Sequence, residues 1–169
     1  MKMYHFDQIY QQNLDALQNL DPSLHKRLTD FQENSIFEAV PYDNRPCNIF
    51  DTHSQTLFFH NTYEEDKKSM DFFYPLREHN FLYFFGIGNG HLQKTLLQNP
   101  KHHLTVIEPS LELLFVALHL EDFSDEIATR RIVFFLVEEL HFSNLVAYLN
   151  QDIKIYYARS YNLHLGANY

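Results

Sequence analysis

The sequence predicts an α/β fold in which a mainly parallel β-sheet is flanked by helices. Short apolar runs alternate with helical patterns from residue 81 onward, as is typical of parallel sheets with helical crossovers. The run Gly86-Ile87-Gly88-Asn89-Gly90 holds three of the 4 glycines in the 169-residue chain. Glu108 stands 20 positions after Gly88 (108 − 88), at the end of the next apolar run. A strand, a glycine turn, a helix and a distal acid open a nucleotide-binding βαβ unit, so the predicted sheet is Rossmann-like.

Two helices and a small β element are predicted before this unit. Apolar residues at three- and four-residue steps predict an amphipathic helix over 4–20. Asp21 followed by Pro22 predicts a second helix, because aspartate is a good N-cap and proline suits the first helical position. The β-like runs that predict a small antiparallel element are 36–40, 48–50 and 56–60.

The remaining elements divide the chain into two predicted domains. A helix is predicted over 62–74, because Thr62 and Glu65 have the spacing of a capping box. The later strands and helices are predicted, in chain order, at 81–85, 91–98, 104–107, 110–120, 131–137, 142–150 and 153–157. We therefore predict an N-terminal helical and β-hairpin extension over 1–75 and a Rossmann-like domain over 76–169. Only four β/α strands are present, so we expect this domain to be truncated from a longer protein.

Composition excludes several classes of function. The formal net charge is −9, with 13 basic and 22 acidic side chains, and no basic patch is evident, which argues against nucleic acid and anionic membranes as partners. The 11 histidines show no metal-ligand spacing, and Cys47 is the single cysteine. There is no signal peptide and no apolar run of the roughly 20 residues that a membrane helix needs. These features predict a cytoplasmic protein.

The predicted cofactor-binding residues are Gly86, Gly88, Gly90, His91 and Glu108. The turn would let a ligand approach a helix N-terminus, which favours anions, and the carboxylate would accept hydrogen bonds from a ribose. His91 stands where the dinucleotide fingerprint has its third glycine, so the spacing is closer to that of S-adenosylmethionine-dependent methyltransferases. The alternatives are a tight turn without a ligand, a carboxylate that stabilises a helix N-terminus, and a histidine that caps or packs. No catalytic or metal-binding residue is predicted, and the cofactor is left open.

Two motifs of the chain are Phe84-Phe85-Gly86-Ile87-Gly88-Asn89-Gly90-His91-Leu92 and Val106-Ile107-Glu108-Pro109-Ser110, with Phe115 and Leu118 following. Together they resemble the motifs of the Maf proteins, the motility accessory factors of flagellated bacteria. The resemblance is strongest over 81–125 and vaguer over 1–80. It supports the Rossmann-like assignment and identifies a particular family.

The resemblance implies a cytoplasmic enzyme that glycosylates flagellin. Such enzymes transfer a nonulosonic acid, of the pseudaminic or legionaminic type, from its CMP-activated form to Ser or Thr hydroxyls. The catalytic domain is then expected beyond residue 169, with flagellin and the downstream domains as partners. The present chain would be non-catalytic and serve assembly or flagellin binding. The rival interpretations are a methyltransferase-like domain that binds S-adenosylmethionine, and an interaction module with no ligand at the turn.

Overall fold

The computed structural model describes residues 3–31, 36–42, 45–73, 80–137 and 155–157. The chain begins with two helices, α1 (Met3–Leu20) and α2 (Pro22–Asp30). The Asp21 carboxylate accepts a hydrogen bond from the Leu24 backbone N–H at 2.9 Å. The predicted N-cap, with proline at the start of the second helix, is therefore confirmed.

Three antiparallel strands follow, in the spatial order β1-β2-β3: β1 (Phe37–Tyr42), β2 (Arg45–Asp51) and β3 (Thr56–Leu57). The predicted antiparallel element is confirmed. The first strand continues through Pro41, since an edge strand tolerates a residue without an N–H donor. The third strand is shorter than predicted, because the Phe59 backbone bonds to the Asn48 side chain instead of a neighbouring strand.

Helix α3 (Thr62–Phe73) begins where predicted but has a different cap. The Asn61 side chain accepts a hydrogen bond from the Glu64 N–H at 3.3 Å. The Thr62 hydroxyl donates instead to the Pro46 carbonyl at 3.2 Å. The prediction of Thr62 as the N-cap was wrong, because its hydroxyl is used by a contact 16 positions earlier in the chain.

The second sheet is parallel and has the spatial order β6-β5-β4-β7. Its strands are β4 (Phe81–Phe85), β5 (His103–Glu108), β6 (Ile132–Leu136) and β7 (Ile155–Tyr157). The chain adds β5 and then β6 on one side of β4, whereas β7 pairs with the other side. The order therefore reverses between β4 and β7, as in Rossmann-like sheets, where ligands bind at the carboxyl ends of such strands. The predicted fold class is confirmed.

Three helices connect the described parallel strands: α4 (His91–Leu96), α5 (Leu111–Leu120) and α6 (Ser124–Ala128). Helices α4 and α5 were predicted. In the structure Ser110 caps α5, because its hydroxyl accepts a hydrogen bond from the Leu113 N–H. The short α6 was not predicted. The helix predicted over 142–150 lies outside the described residues.

A single hydrophobic core joins the described parts of the molecule. The parallel sheet contributes Leu82, Phe84, Leu104, Val106, Ile132 and Phe134. The same cluster continues into Leu14, Leu17, Leu24, Leu28, Ile49, Phe58 and Phe59. The predicted boundary between 1–75 and 76–169 falls outside the described residues, so that division stays a prediction. Within the described ranges, no helix has the length and apolar character needed to cross a bilayer.

Candidate functional site

The glycine turn, residues 86–90, joins β4 to α4, and all five of its residues are buried. Gly86, Gly88 and Gly90 have φ values of +89°, +59° and +81°. Residues with a side chain rarely adopt such values, whereas glycine does so at little cost. The backbone conformation therefore explains why this chain concentrates its few glycines here.

Glu108 lies at the end of β5 with its carboxylate directed at the glycine turn. The side chain is fully buried, and its Oε2 accepts a hydrogen bond from the Ile87 N–H at 2.8 Å. Its Oε1 accepts from the Ser110 N–H at 2.8 Å. Both carboxylate oxygens thus bind backbone donors, one in the glycine turn and one at the start of α5. This arrangement stabilises the buried charge and joins two segments at the same edge of the sheet.

Asn89 connects the glycine turn to the antiparallel sheet. Its Nδ2 donates to the Cys47 carbonyl in β2 at 2.9 Å. Its Oδ1 accepts from the His91 N–H at 3.2 Å, and so satisfies a donor at the start of α4 that the preceding glycine has no side chain to reach. Sequence reasoning missed this residue, although an asparagine just before a helix is a recognised capping signal.

Two phenylalanine rings lie against the glycine turn. A Cβ at Gly88 would be 3.2 Å from Cζ of Phe59, which precedes α3. A Cβ at Gly90 would be 3.2 Å from Cε2 of Phe123, in the loop between α5 and α6. The close approach that glycine permits is therefore used by the protein's own side chains. No local signal in the sequence assigns either ring to this place.

The backbone of Phe59 is fixed by a buried asparagine. Asn48, in β2, donates from Nδ2 to the Phe59 carbonyl at 2.7 Å. Its Oδ1 accepts from the Phe59 N–H at 3.1 Å. Because one amide side chain satisfies both backbone groups of Phe59, the ring is presented to Gly88 from an anchored position.

The predicted site residue His91 lies at the rim of the turn and pairs with Glu121. Its Nδ1 is 2.9 Å from Glu121 Oε1, with 37% of the histidine side chain exposed. One helical turn later, Lys94 Nζ is 2.7 Å from Glu126 Oε2. Two side-chain pairs thus connect α4 to the 121–126 segment, which carries the Phe123 ring.

The same segment is held from the other side by Asn13 of α1. This side chain is fully buried. Its Nδ2 donates to the carbonyls of Leu118 and Glu121 at 2.8 and 2.9 Å. Its Oδ1 accepts from the Phe123 N–H at 2.7 Å. The position of Phe123 therefore depends on a contact between the N-terminal helix and the parallel-sheet unit.

The structure brings the five predicted residues together at the carboxyl edge of β4 and β5. Cofactor binding by Gly86, Gly88, Gly90, His91 and Glu108 stays a prediction. Among the residues that the structure describes, no group of three or more His, Cys, Asp or Glu side chains has an arrangement that could hold a metal ion. The buried glycine turn therefore packs between Phe59 and the 121–126 segment. The His91–Glu121 and Lys94–Glu126 pairs lie at its edge.

The strand order, the glycine turn and the acid at the end of β5 define a Rossmann-like α/β protein. A solved structure of the MAf glycosyltransferase from Magnetospirillum magneticum AMB-1 is similar to 90% of this chain, with a TM-score of 0.64 and 13% sequence identity. No protein-family model and no curated protein matches the sequence. The chain spans about a third (32%) of that glycosyltransferase's length. The predicted Maf-like domain is thereby confirmed at the level of the fold.

Proposed function

We propose that the chain is the N-terminal domain of a Maf-type glycosyltransferase. In this proposal the longer protein transfers a nonulosonic acid of the pseudaminic or legionaminic type from a CMP-linked donor to Ser or Thr of flagellin in the cytoplasm. The observation that carries the proposal is the similarity in fold, over 90% of this chain, to a MAf glycosyltransferase. The motifs over 84–92 and 106–110 support the same family from the sequence.

Within this proposal the chain binds flagellin or supports assembly, and the transfer takes place in a downstream domain. Transfer to a hydroxyl needs a positioned base that accepts the hydroxyl proton. Both carboxylate oxygens of Glu108 accept backbone hydrogen bonds. His91 is paired with Glu121, and Lys94 with Glu126. The engagement of both Glu108 oxygens favours a structural role for this carboxylate.

The test is a transfer assay with a binding assay beside it. Purified chain 1–169 is incubated with flagellin and CMP-pseudaminic acid, and the intact mass of flagellin is measured. We expect no added sugar, whereas the longer protein, as the positive control, adds it. A mass increase with 1–169 alone would contradict the non-catalytic role. Retention of the chain on immobilised flagellin, compared with a resin carrying an unrelated protein, separates flagellin binding from assembly.

The alternative is a methyltransferase-like domain that binds S-adenosylmethionine. The observation that favours it is the turn Gly86-x-Gly88-x-Gly90 with Glu108 at the end of the neighbouring strand. Titration calorimetry with S-adenosylmethionine tests it. Heat that disappears in Glu108→Ala, in a variant whose circular dichroism matches that of the unmodified chain, would support this function against the first proposal.

A further inference from the structure

We propose that the Phe59 ring occupies the nucleotide-binding crevice of this sheet, at the place where a dinucleotide or S-adenosylmethionine would contact Gly88. While this ring is in place, the glycine turn takes no such ligand. The proposal concerns the sheet edge itself and does not depend on whether the longer protein transfers a sugar. It rests on the space above the turn, on the hydrogen-bond donors of the turn, and on the way the Phe59 loop is held.

The Phe59 ring lies against the glycine turn, at the carboxyl edge of the parallel sheet. In a Rossmann-like sheet the ligand lies at the carboxyl ends of the strands where the order reverses, here β4 and β7. The second glycine of the turn allows the ligand's pyrophosphate to approach the backbone. That glycine is Gly88, and a Cβ on it would be only 3.2 Å from Cζ of Phe59. The ring therefore occupies the space that a bound pyrophosphate or methionine would need.

Backbone donors that an anionic ligand would use are engaged within the protein. A glycine turn binds phosphate through free backbone N–H groups at the start of its helix. Here the Ile87 N–H donates to Glu108 and the His91 N–H donates to Asn89. Two donors of the turn are thus used within the protein. An anion placed beside the apolar ring would lose hydration without gaining these bonds.

The Phe59 loop, residues 58–61, is anchored to β2, and β2 is bonded to the glycine turn. Asn48 binds both the N–H and the carbonyl of Phe59. Asn89, within the turn, donates to the Cys47 carbonyl one residue before Asn48. The contact between ring and turn is therefore supported by hydrogen bonds on both sides. A ligand could enter only by displacing the loop.

The test compares Phe59→Ala with Phe58→Ala. Both rings are buried, at 8% and 7% exposure, and both belong to the same loop. The Phe58 ring packs edge-on against Phe37, with centroids 5.3 Å apart, and has no atom within 4 Å of a Cβ at Gly88. Phe58→Ala is thus a matched control that removes the same ring volume elsewhere in the loop. Binding of S-adenosylmethionine and of NAD to each full chain is measured by calorimetry.

We expect Phe59→Ala to bind at least one probe about tenfold or more tightly than the unmodified chain, a difference of about 1.4 kcal/mol. Phe58→Ala should match the unmodified chain. Equal affinity of the unmodified chain and Phe59→Ala, with binding or without it, would overturn the proposal. If Phe59→Ala does not fold, Phe59→Leu keeps most of the core volume. Tighter binding by Phe59→Leu than by the unmodified chain supports the proposal, and unchanged binding overturns it.

Discussion

Two of the junctions between the N-terminal part of the chain and the parallel-sheet unit are built differently. At the helix junction, Asn13 of α1 makes three buried hydrogen bonds to the backbone of the segment 118–123. At the loop junction, the Phe59 ring lies against Gly88, and Asn89 makes one hydrogen bond to the Cys47 carbonyl. The helix junction thus combines three buried hydrogen bonds with apolar packing of Leu14 and Leu17, whereas an apolar ring contact and one hydrogen bond are described at the loop junction.

The two junctions differ in the cost of losing one polar side chain. Removal of the Asn13 amide from the packed helix junction would leave three buried backbone groups without that partner, each at a cost of about 1–3 kcal/mol. Removal of the Asn89 amide from the loop junction would take away its bond to the Cys47 carbonyl. The helix junction is also reinforced by Tyr10, whose ring stacks on His119 at 3.9 Å between centroids. The loop junction is therefore the more easily displaced of the two.

The largest effect is expected from Asn13→Ala. This change leaves the Phe123 N–H and the carbonyls of Leu118 and Glu121 without their amide partner, so we expect a loss of about 3 kcal/mol in the free energy of unfolding. Urea denaturation measures it. The control is Asn19→Ala, the same change at an exposed position of the same helix, which should cost about 0.5 kcal/mol or less. Equal losses of unfolding free energy in the two variants would show that the Asn13 hydrogen bonds do not stabilise the helix junction.

Gly90→Ala should have the next largest effect. Gly90 lies in the turn, beside the ring of Phe123 that the helix junction positions. Its φ of +81° disfavours alanine, and the added Cβ would be 3.2 Å from the ring. We expect a loss of about 2 kcal/mol from backbone strain and crowding together, measured as a lower thermal unfolding midpoint. A loss under about 0.5 kcal/mol would show that the ring can move aside, and so that Asn13 does not fix its position.

Asn89→Ala tests how much the hydrogen bond at the loop junction stabilises the protein. It removes the bond to the Cys47 carbonyl and the acceptor for the His91 N–H, so we expect a loss of about 1–2 kcal/mol. Hydrogen exchange of the backbone amides in residues 56–61 should accelerate in this variant, whereas amides of α1 should change less. A loss as large as that of Asn13→Ala would contradict the distinction between the junctions.

Lys94→Met is expected to have the smallest effect. The Lys94–Glu126 pair is partly exposed, with side-chain exposures of 33% and 11%. The Lys94 ammonium group lies 5.8 Å from the Phe123 ring centroid. Methionine keeps the apolar stem of lysine but lacks this charged group. We expect a loss below about 1 kcal/mol, because solvent screens such pairs. The difference between Lys94→Met and the unmodified chain should shrink in high salt, and a difference that is unchanged by salt would assign the loss to packing.

The glycine turn and the parallel strands could be predicted because their signals are local. Positive φ values strongly favour glycine, and the chain has only one glycine outside the turn. The strand over 81–85 was predicted with the bounds that the structure shows. The placement of Glu108 beside the turn also followed, since parallel strands bring their carboxyl ends to one edge of the sheet.

The partners of the turn could not be predicted, because they come from distant parts of the chain. Asn89 bonds to a carbonyl 42 positions earlier, and Asn13 bonds to Phe123, 110 positions later. Asn13 did carry a usable signal, since a polar residue on the apolar face of a helix needs a buried partner. Which partner it finds is decided by tertiary packing. The same holds for the ring of Phe59, which no spacing rule assigns to Gly88.

The pairing of β4 with β7 has a consequence for synthesis on the ribosome. Tyr83 pairs with Ile155, 72 positions later (155 − 83). Until that segment has been made, β4 is an edge strand of five residues, Phe-Leu-Tyr-Phe-Phe, with no charge and no proline. Such an edge is a template for pairing with another chain. In the described sheet, pairing with the short strand β7 covers this edge of β4.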